Sequence, residues 1–236
     1  MSIVNTLTLE SNRQIKINFD GGDLSSDAGL LLIKEFAAKI GFTKLIKKKF
    51  KTNDEAVRFH KDAENLLQMI YQVISAYFHD DCADELTLDP VFNIILDKES
   101  LASQPTLSRF FNRMDEDTLI QFDDIDKNLR DIIYSIKCPE HVLFDLDSTL
   151  FGTYGKQEGE GFNFHYQAHG YHPFLCYDGL TGDLIKAKLR DGTLHCSNGA
   201  DKFMESIFQE YLERGIKTYL RGDSGFSSPK LYETCE

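Results

Sequence analysis

The sequence predicts an α+β protein in which a mainly helical N-terminal region precedes a region that combines strands and helices. Two observations lead to this prediction. Between residues 24 and 137, apolar residues recur with the spacing of amphipathic helices. At Cys138-Pro139 the pattern becomes extended, and strands then alternate with helices. We therefore predict a helical domain over residues 1–138 and an α/β domain over residues 139–236.

The composition is typical of a globular protein outside membranes. Hydrophobic residues make up 42% of the 236 residues, with 18 Phe and 10 Tyr, which is enough for a sizeable core. No stretch approaches the roughly 20 apolar residues of a membrane span, and the N-terminus lacks a signal-peptide pattern. The five cysteines show no paired spacing and indicate neither a disulfide framework nor a zinc knuckle. We expect a cytoplasmic protein without a membrane partner.

The N-terminal region begins with an expected hairpin and continues as helices. Residues 6–19 alternate apolar and polar positions around Ser11-Asn12, which predicts the hairpin. The segment Ser25-Ser26-Asp27 offers caps for a first helix, and Gly41 is placed to end it after Ile40. Further helices are predicted along the apolar face Leu66, Ile70, Val73, Ile74 and Tyr77, from Asp89-Pro90, from Pro105 to Arg113, and along Leu119 to Ile136.

The second region predicts a sheet with a defined strand order. HVLFDLDST (141–149) is typical of a buried strand, and a Gly-rich connection (151–162) follows it. The remaining predicted elements are strands within 163–178 and 183–190, a helix from about Asp201 to Arg214, a strand over 216–225 and a helix from Ser227 or Ser228. In a ribonuclease-H-like sheet, three strands form an antiparallel meander, and a crossover helix returns the fourth parallel to the first.

Aspartates end two of these strands. Asp145 and Asp147 share one face of the first strand because side chains alternate, and Asp223 ends the fourth strand. Neighbouring carboxylates suit Mg²⁺, a hard cation that prefers oxygen ligands, and a pair of such ions can cleave a phosphodiester. The alternative is that Asp147 and Asp223 only cap the turns that follow them.

Six stretches, in order, resemble the group 1 DDE transposases of bacterial insertion sequences. They are FDGGDLSSDAGLLLIKE, HDDCADELTLDPVF, LASQPTLSRFFNRM, VLFDLDSTLFGTYGKQEG, YQAHGYHPFLCYDG and YLRGDSGF. The resemblance implies a ribonuclease-H-like catalytic domain, Mg²⁺ or Mn²⁺, and double-stranded DNA as the partner, at the element's terminal inverted repeats and at the target. It assigns the family's first two metal-binding catalytic acids to Asp147 and Asp223. We also expect a homo-oligomer on DNA.

The family's third acid, a glutamate on a later helix, has no counterpart up to Glu236. The resemblance therefore implies a catalytic domain that is incomplete at its C-terminus and inactive alone. A non-catalytic DNA-binding remnant of a transposase is one alternative. A second is a phosphatase of the haloacid dehalogenase type, because Asp145, Asp147 and Thr149 spell its D-x-D-x-T motif.

Candidate DNA contacts come from local charge, although the net charge of the chain is -12. Residues 34–61 carry nine Lys and Arg against three acids, a balance of +6. Within them, Lys47, Lys48 and Lys49 are predicted to contact phosphates, with a solvated surface as the alternative. The helix that begins at Pro105 is a candidate second helix of a helix-turn-helix, which would offer Arg109 and Arg113 to a DNA groove.

Overall fold

A computed structural model describes residues 6–21, 25–87 and 89–236 of the protein. The chain forms two compact units, Met1–Ile132 and Ile133–Glu236. The division falls inside a helix, whereas the sequence placed the boundary after residue 138. Within the described ranges, none of the helices has the length and apolar character required to cross a bilayer.

The first unit begins with the expected hairpin. Strands β1 (Thr6–Thr8) and β2 (Lys16–Asn18) pair antiparallel, with Leu7 opposite Ile17. Seven helices follow in the described residues of the chain before the sheet of the second unit. They are α1 (Leu30–Lys39), α2 (Phe42–Lys49), α3 (Asp62–Ile74), α4 (Cys82–Leu86), α5 (Pro90–Leu96), α6 (Gln104–Phe111) and α7 (Glu116–Ile136).

Helix α1 starts later than the sequence predicted. Its N-cap is Gly29, and no side chain caps it. The Asp27 carboxylate instead accepts a hydrogen bond from the Tyr77 hydroxyl, 3.1 Å from Asp27 Oδ2. The end of α1 is close to the prediction, since Gly41 adopts a left-handed conformation with φ of 73°. The predicted start of the helical region at residue 24 lies outside the described residues.

The apolar faces of the helices in the first unit form two main buried clusters. One joins the hairpin to α1, α3 and α5 through residues such as Leu9, Leu31 and Phe92. The other joins α2, α3, α6 and α7 through Ile46 and Phe110, among others. Helix α5 begins as predicted, because the Asp89 side chain accepts hydrogen bonds from two N–H groups of the first turn and Pro90 follows it.

The main sheet of the second unit has the predicted topology. Its strands are β3 (His141–Asp147), β7 (Phe174–Asp178), β8 (Leu184–Lys188) and β9 (Lys217–Gly222), in the spatial order β8-β7-β3-β9. The pairs β3–β7 and β7–β8 are antiparallel. Helix α8 (Ala200–Glu213) then returns the chain so that β9 pairs parallel with β3. The protein is therefore an α+β protein with a ribonuclease-H-like sheet, as expected.

One face of this sheet forms the core of the second unit. Val142, Phe144 and Leu146 alternate along β3 and are buried, together with Phe203 and Tyr211 of α8. The short helix α9 (Pro229–Cys235) adds Leu231 to the same cluster. Because side chains alternate along β3, Asp145 and Asp147 point to the opposite face.

A small second sheet occupies the connection between β3 and β7. The sequence predicted a Gly-rich loop for the first half of this connection, but the structure contains short strands there. They are β4 (Phe151–Gly152), β5 (Gly161–Asn163) and β6 (Ala168–Tyr171), in the order β4-β6-β5. The strand predicted within 163–178 is therefore divided into β6 and β7.

Candidate functional site

Two aspartates lie at the carboxyl ends of the parallel strands β3 and β9. The register of this pair runs up to Leu146 opposite Gly222. Asp147 is the last residue of β3, Asp223 immediately follows β9, and both are exposed. Parallel neighbours end at the same edge of a sheet, so these two residues are next to each other. The structure brings together the two positions that the sequence singled out.

Each aspartate is oriented by a backbone N–H of the turn that follows it. Asp147 Oδ1 accepts a hydrogen bond from the Ser148 N–H at 2.7 Å. Asp223 Oδ1 accepts one from the Gly225 N–H at 2.9 Å, and so caps the 3-10 turn Ser224–Phe226. Within the described residues, Oδ2 of each aspartate has no protein hydrogen-bond partner. Both residues therefore cap turns, as the alternative interpretation predicted, and each keeps one carboxylate oxygen for a ligand.

A shallow cleft at this edge of the sheet has a volume of about 400 Å³. Three carboxylates and one guanidinium line the cleft, on the face of the sheet opposite the core. The lining residues are Asp145, Leu146, Asp147, Tyr177, Arg221, Gly222 and Asp223.

Asp145 and Arg221 form a two-pronged ion pair inside the cleft. They are direct neighbours in the register of β3 and β9. Arg221 Nε donates to Asp145 Oδ1 at 2.7 Å, and Arg221 Nη2 donates to Asp145 Oδ2. The hydrogen bonds from Arg221, with its charge, hold the pKa of Asp145 below its ordinary value. Asp145 is therefore a charged partner of Arg221 at neutral pH.

A buried arginine lies beneath the Asp147 turn. The Arg190 guanidinium stacks 3.4 Å from the centre of the Phe174 ring. Its Nη2 donates to Ser148 Oγ at 3.2 Å, and its Nε donates to the His172 carbonyl at 2.9 Å. The Ser148 hydroxyl in turn donates to the Pro173 carbonyl at 2.8 Å. These bonds fix the residue that follows Asp147.

The same arginine reaches the loop that holds the Asp223 turn. Arg190 Nη1 donates to the carbonyl oxygens of His195 and Asn198. Between these two residues, Cys196 Sγ donates to the Gly225 carbonyl at 3.0 Å. Burial, and then the nearby Asp223 carboxylate, raise the pKa of the Cys196 thiol, so it stays a protonated donor at neutral pH. Arg190 thus connects the two turns that carry Asp147 and Asp223.

Comparison with known proteins assigns the chain to a family. The family model described as "Transposase DDE domain group 1" matches residues 7–236, which is nearly the whole chain. The chain belongs to the group 1 DDE transposases. The resemblance noted in its six sequence stretches is therefore confirmed.

Other comparisons add little to the family assignment. No curated protein matches the chain. Among solved structures, the chain is similar to one described as "Mos1 transposase paired-end complex with left transposon end", at 10% sequence identity and a TM-score of 0.27. The alignment covers 91% of this chain and 66% of that one, slightly less than two thirds. At this TM-score the likeness carries no argument about the fold or about function.

Divalent metal ions are the general cofactors of DDE transposases, and the carboxylates of the cleft are compatible with one. Asp147 and Asp223 each present an exposed oxygen, which is the hard donor that Mg²⁺ and Mn²⁺ accept alongside water. In the described part of the chain, no three His, Cys, Asp or Glu residues gather closely enough to form a ready-made metal cage. Asp147 and Asp223 are accordingly the candidate ligands for an ion.

The phosphatase alternative does not fit this transposase sheet. That enzyme class requires a parallel sheet around its first strand, whereas β3 has an antiparallel neighbour in β7. Asp145, the nucleophile in that interpretation, is held by Arg221. The D-x-D-x-T pattern is therefore not a phosphatase motif in this chain, and the phosphatase interpretation is wrong.

The predicted phosphate contacts of the transposase lie on α2 in the first unit. Ile46 of α2 is buried in the core of the first unit, whereas Lys47 and Lys48 are exposed. Lys49 is half-buried, and its Nζ is 2.7 Å from Asp124 Oδ2. Lys47 and Lys48 are consequently the better candidates of the three.

The two arginines predicted to reach a DNA groove have different environments. Arg109 is exposed on α6. Arg113 has a side chain only 12% exposed, and its Nη2 donates to Asp62 Oδ1 at 2.7 Å. Burial would raise the pKa of Asp62, but hydrogen bonds from Arg113 and Thr52 outweigh burial and lower it. Arg113 thus forms an internal ion pair, and Arg109 is the better candidate of the two for a groove contact.

Sequence reasoning missed two arginines of the site. Arg221 had a usable signal, because it lies two residues before Asp223 on a strand and must share its face. Arg190 had none, since a single arginine after a strand is typical of an exposed side chain. Only the folded chain brings Arg190 to Ser148, 42 residues earlier.

Proposed function

We propose that this protein acts as a DNA transposase that cleaves and joins DNA at the terminal inverted repeats of an insertion sequence. The single observation that supports the proposal is the pair of exposed aspartates at the tips of adjacent parallel strands. In a group 1 DDE transposase, these positions correspond to the first two catalytic acids. The partner is double-stranded DNA, first at the element ends and then at the target, with a homo-oligomer assembled on the DNA.

The proposed chemistry uses the carboxylates for metal binding. Asp147 and Asp223 would hold Mg²⁺ or Mn²⁺ through Oδ2, while Oδ1 of each keeps its bond to the following turn. When bound, divalent ions supply an activated water and stabilise the leaving oxygen of a phosphodiester. Arg190 fixes the turn after Asp147 through Ser148, which limits the movement of the carboxylate. The protein's own contribution is thus a rigid pair of oxygen donors at one strand edge.

DNA affinity is proposed to come from the first unit. Lys47 and Lys48 on α2 and Arg109 on α6 are exposed cations that suit phosphate oxygens. Charge neutralisation by such residues is independent of DNA sequence. These residues would therefore hold DNA without reading the repeat.

A metal-binding measurement tests the proposal without requiring catalysis. Titration of the unaltered chain with Mn²⁺, followed by electron paramagnetic resonance, is expected to show a site that Asp147→Asn or Asp223→Asn weakens by at least about tenfold. Asp183→Asn is the matched control, because Asp183 is an exposed turn aspartate of the same unit that lies outside the cleft. Equal Mn²⁺ affinity in all four proteins would refute the proposed metal site.

The DNA-binding remnant remains the second candidate, and a cleavage assay separates it from the transposase. Duplex DNA ending in the terminal repeats that flank the gene is incubated with the unaltered chain and Mn²⁺. DNA binding without any strand cleavage supports the remnant. Strand cleavage that Asp147→Asn abolishes would support the enzyme.

A further inference from the structure

Arg221 is the one cationic residue among those that line the cleft. Its neighbours there include Asp145, Asp147 and Asp223, so the cleft is acidic overall. DNA carries a negative charge at every phosphate and is repelled by carboxylates unless cations intervene. A guanidinium at this place is therefore positioned to lower that repulsion.

The contact with Asp145 uses only part of the guanidinium. Nε and Nη2 donate to the carboxylate, and within the described residues Nη1 donates to no acceptor. The Arg221 side chain is 58% exposed. The ion pair fixes the plane of the guanidinium and leaves N–H groups available to a further acceptor.

The ion pair of Arg221 and Asp145 is partly exposed, and exposed ion pairs contribute little to folding stability. The surroundings nevertheless leave space for the pair. A Cβ added at Gly179 would lie 3.1 Å from Arg221 Nη2 and 3.2 Å from Asp145 Oδ2. A Cβ at position 179 would therefore crowd the ends of both side chains, and glycine leaves them room.

We propose that Arg221 binds a backbone phosphate of DNA in the cleft and that Asp145 holds its guanidinium in the binding orientation. The inference rests on the proposed function, because it places DNA at Asp147 and Asp223. Arginine suits this task, since its planar fork matches the geometry of phosphate oxygens and it is always charged. Asp145 is then a positioning residue that contacts DNA only through Arg221.

The test compares DNA binding by single and double variants. Arg221→Gln, Asp145→Asn, the double variant and the unaltered chain are titrated with duplex carrying the flanking terminal repeat, in Ca²⁺ and at several NaCl concentrations. We expect Arg221→Gln to weaken binding about tenfold, because a hydrogen-bonded contact to a charged group is lost. We also expect the dependence of log affinity on log salt to fall by about one unit of slope.

The double variant separates phosphate binding from simple charge compensation. If Arg221 binds phosphate, Asp145→Asn/Arg221→Gln stays weak and keeps the reduced salt slope. Recovery of affinity and slope in the double variant would overturn the inference, because Arg221 would then only neutralise Asp145. Unchanged binding by Arg221→Gln would overturn it as well. Thermal melting of each variant establishes that it is folded.

Two controls complete the design. Lys217→Gln removes one positive charge from the other end of β9 and is expected to leave the salt slope unchanged. The Mn²⁺ titration of Arg221→Gln is expected to match that of the unaltered chain within about threefold, since Arg221 is not a metal ligand. Failure of the unaltered chain to bind duplex, or to bind Mn²⁺ through Asp147, would overturn the proposed function and with it this inference.

Discussion

Arg190 is a cation that is 7% exposed and has no carboxylate partner among the described residues. Burial lowers its pKa to about 10, so the guanidinium remains charged at neutral pH. Its charge is compensated by carbonyl and hydroxyl oxygens of three chain segments and by the face of Phe174. Removal of the side chain would leave several buried acceptors without a donor, which is costly.

Arg190→Met is therefore expected to lower the free energy of unfolding by about 2–4 kcal/mol. Urea denaturation measures the loss. The control is Lys202→Met, which also replaces a cation with methionine, at an exposed position of α8, and should change stability by about 0.5 kcal/mol or less. Similar free energies of unfolding for the two variants would show that the buried hydrogen bonds of Arg190 do not stabilise the fold.

The sequence located individual residues only where a local rule applied. Strand alternation and strand order were enough to place Asp147 and Asp223 side by side. Arg113 could not be assigned in this way, because its partner Asp62 is 51 residues away and only the packing of α3 and α6 brings them together. The role of a side chain with such a distant partner cannot be inferred from the sequence pattern around it.

At the scale of elements, the main sheet and the N-terminal hairpin were predictable, and the small sheet was not. The strands of the main sheet have five to seven residues with a clear apolar pattern, so their order followed from the sequence. The strands of the small sheet have two to four residues and lie in or beside a Gly-rich segment, where no alternation of apolar and polar residues is recognisable. Their pairing depends on backbone contacts that Gly-rich segments permit.

Three glycines allow the small sheet to contact the segment after β8. A Cβ added at Gly192 would lie 2.0 Å from the Gly170 carbonyl oxygen and 2.6 Å from that of Gly161. A Cβ at Gly170 would lie 2.2 Å from the carbonyl oxygen of Phe151. These distances are far below van der Waals contact, and the close atoms belong to the backbone. The backbones can cross here only because no side chain is present.

Gly192→Ala is expected to destabilise the second unit by about 1–3 kcal/mol, as other overpacking substitutions do. Gly152→Ala is the matched control, since Gly152 belongs to the small sheet that Gly192 contacts and an added Cβ there would meet nothing within 4 Å. Thermal unfolding of both variants measures the difference. If Gly192→Ala has the same melting temperature as the unaltered protein, the close approach of the backbones does not constrain the fold.

At the scale of the whole molecule, the charge distribution has to reconcile DNA binding with a net charge of -12. Charges are screened over roughly 8 Å at physiological salt, so a local cluster of lysines acts largely independently of distant acids. The basic stretch over residues 34–61 belongs to the first unit, and the carboxylates of the cleft belong to the second. The proposed phosphate contacts of α2 and the proposed chemistry thus reside in separate units.

This division predicts how affinity responds to salt. Lys47→Gln/Lys48→Gln is expected to reduce the slope of log affinity against log salt by about two, because two phosphate contacts are lost. The control Lys202→Gln/Lys230→Gln removes the same charge from α8 and α9, which pack on the sheet face opposite the carboxylates. Duplex binding measured at several NaCl concentrations distinguishes the two variants. Equal slopes for both would mean that only net charge governs binding and that α2 makes no specific phosphate contacts.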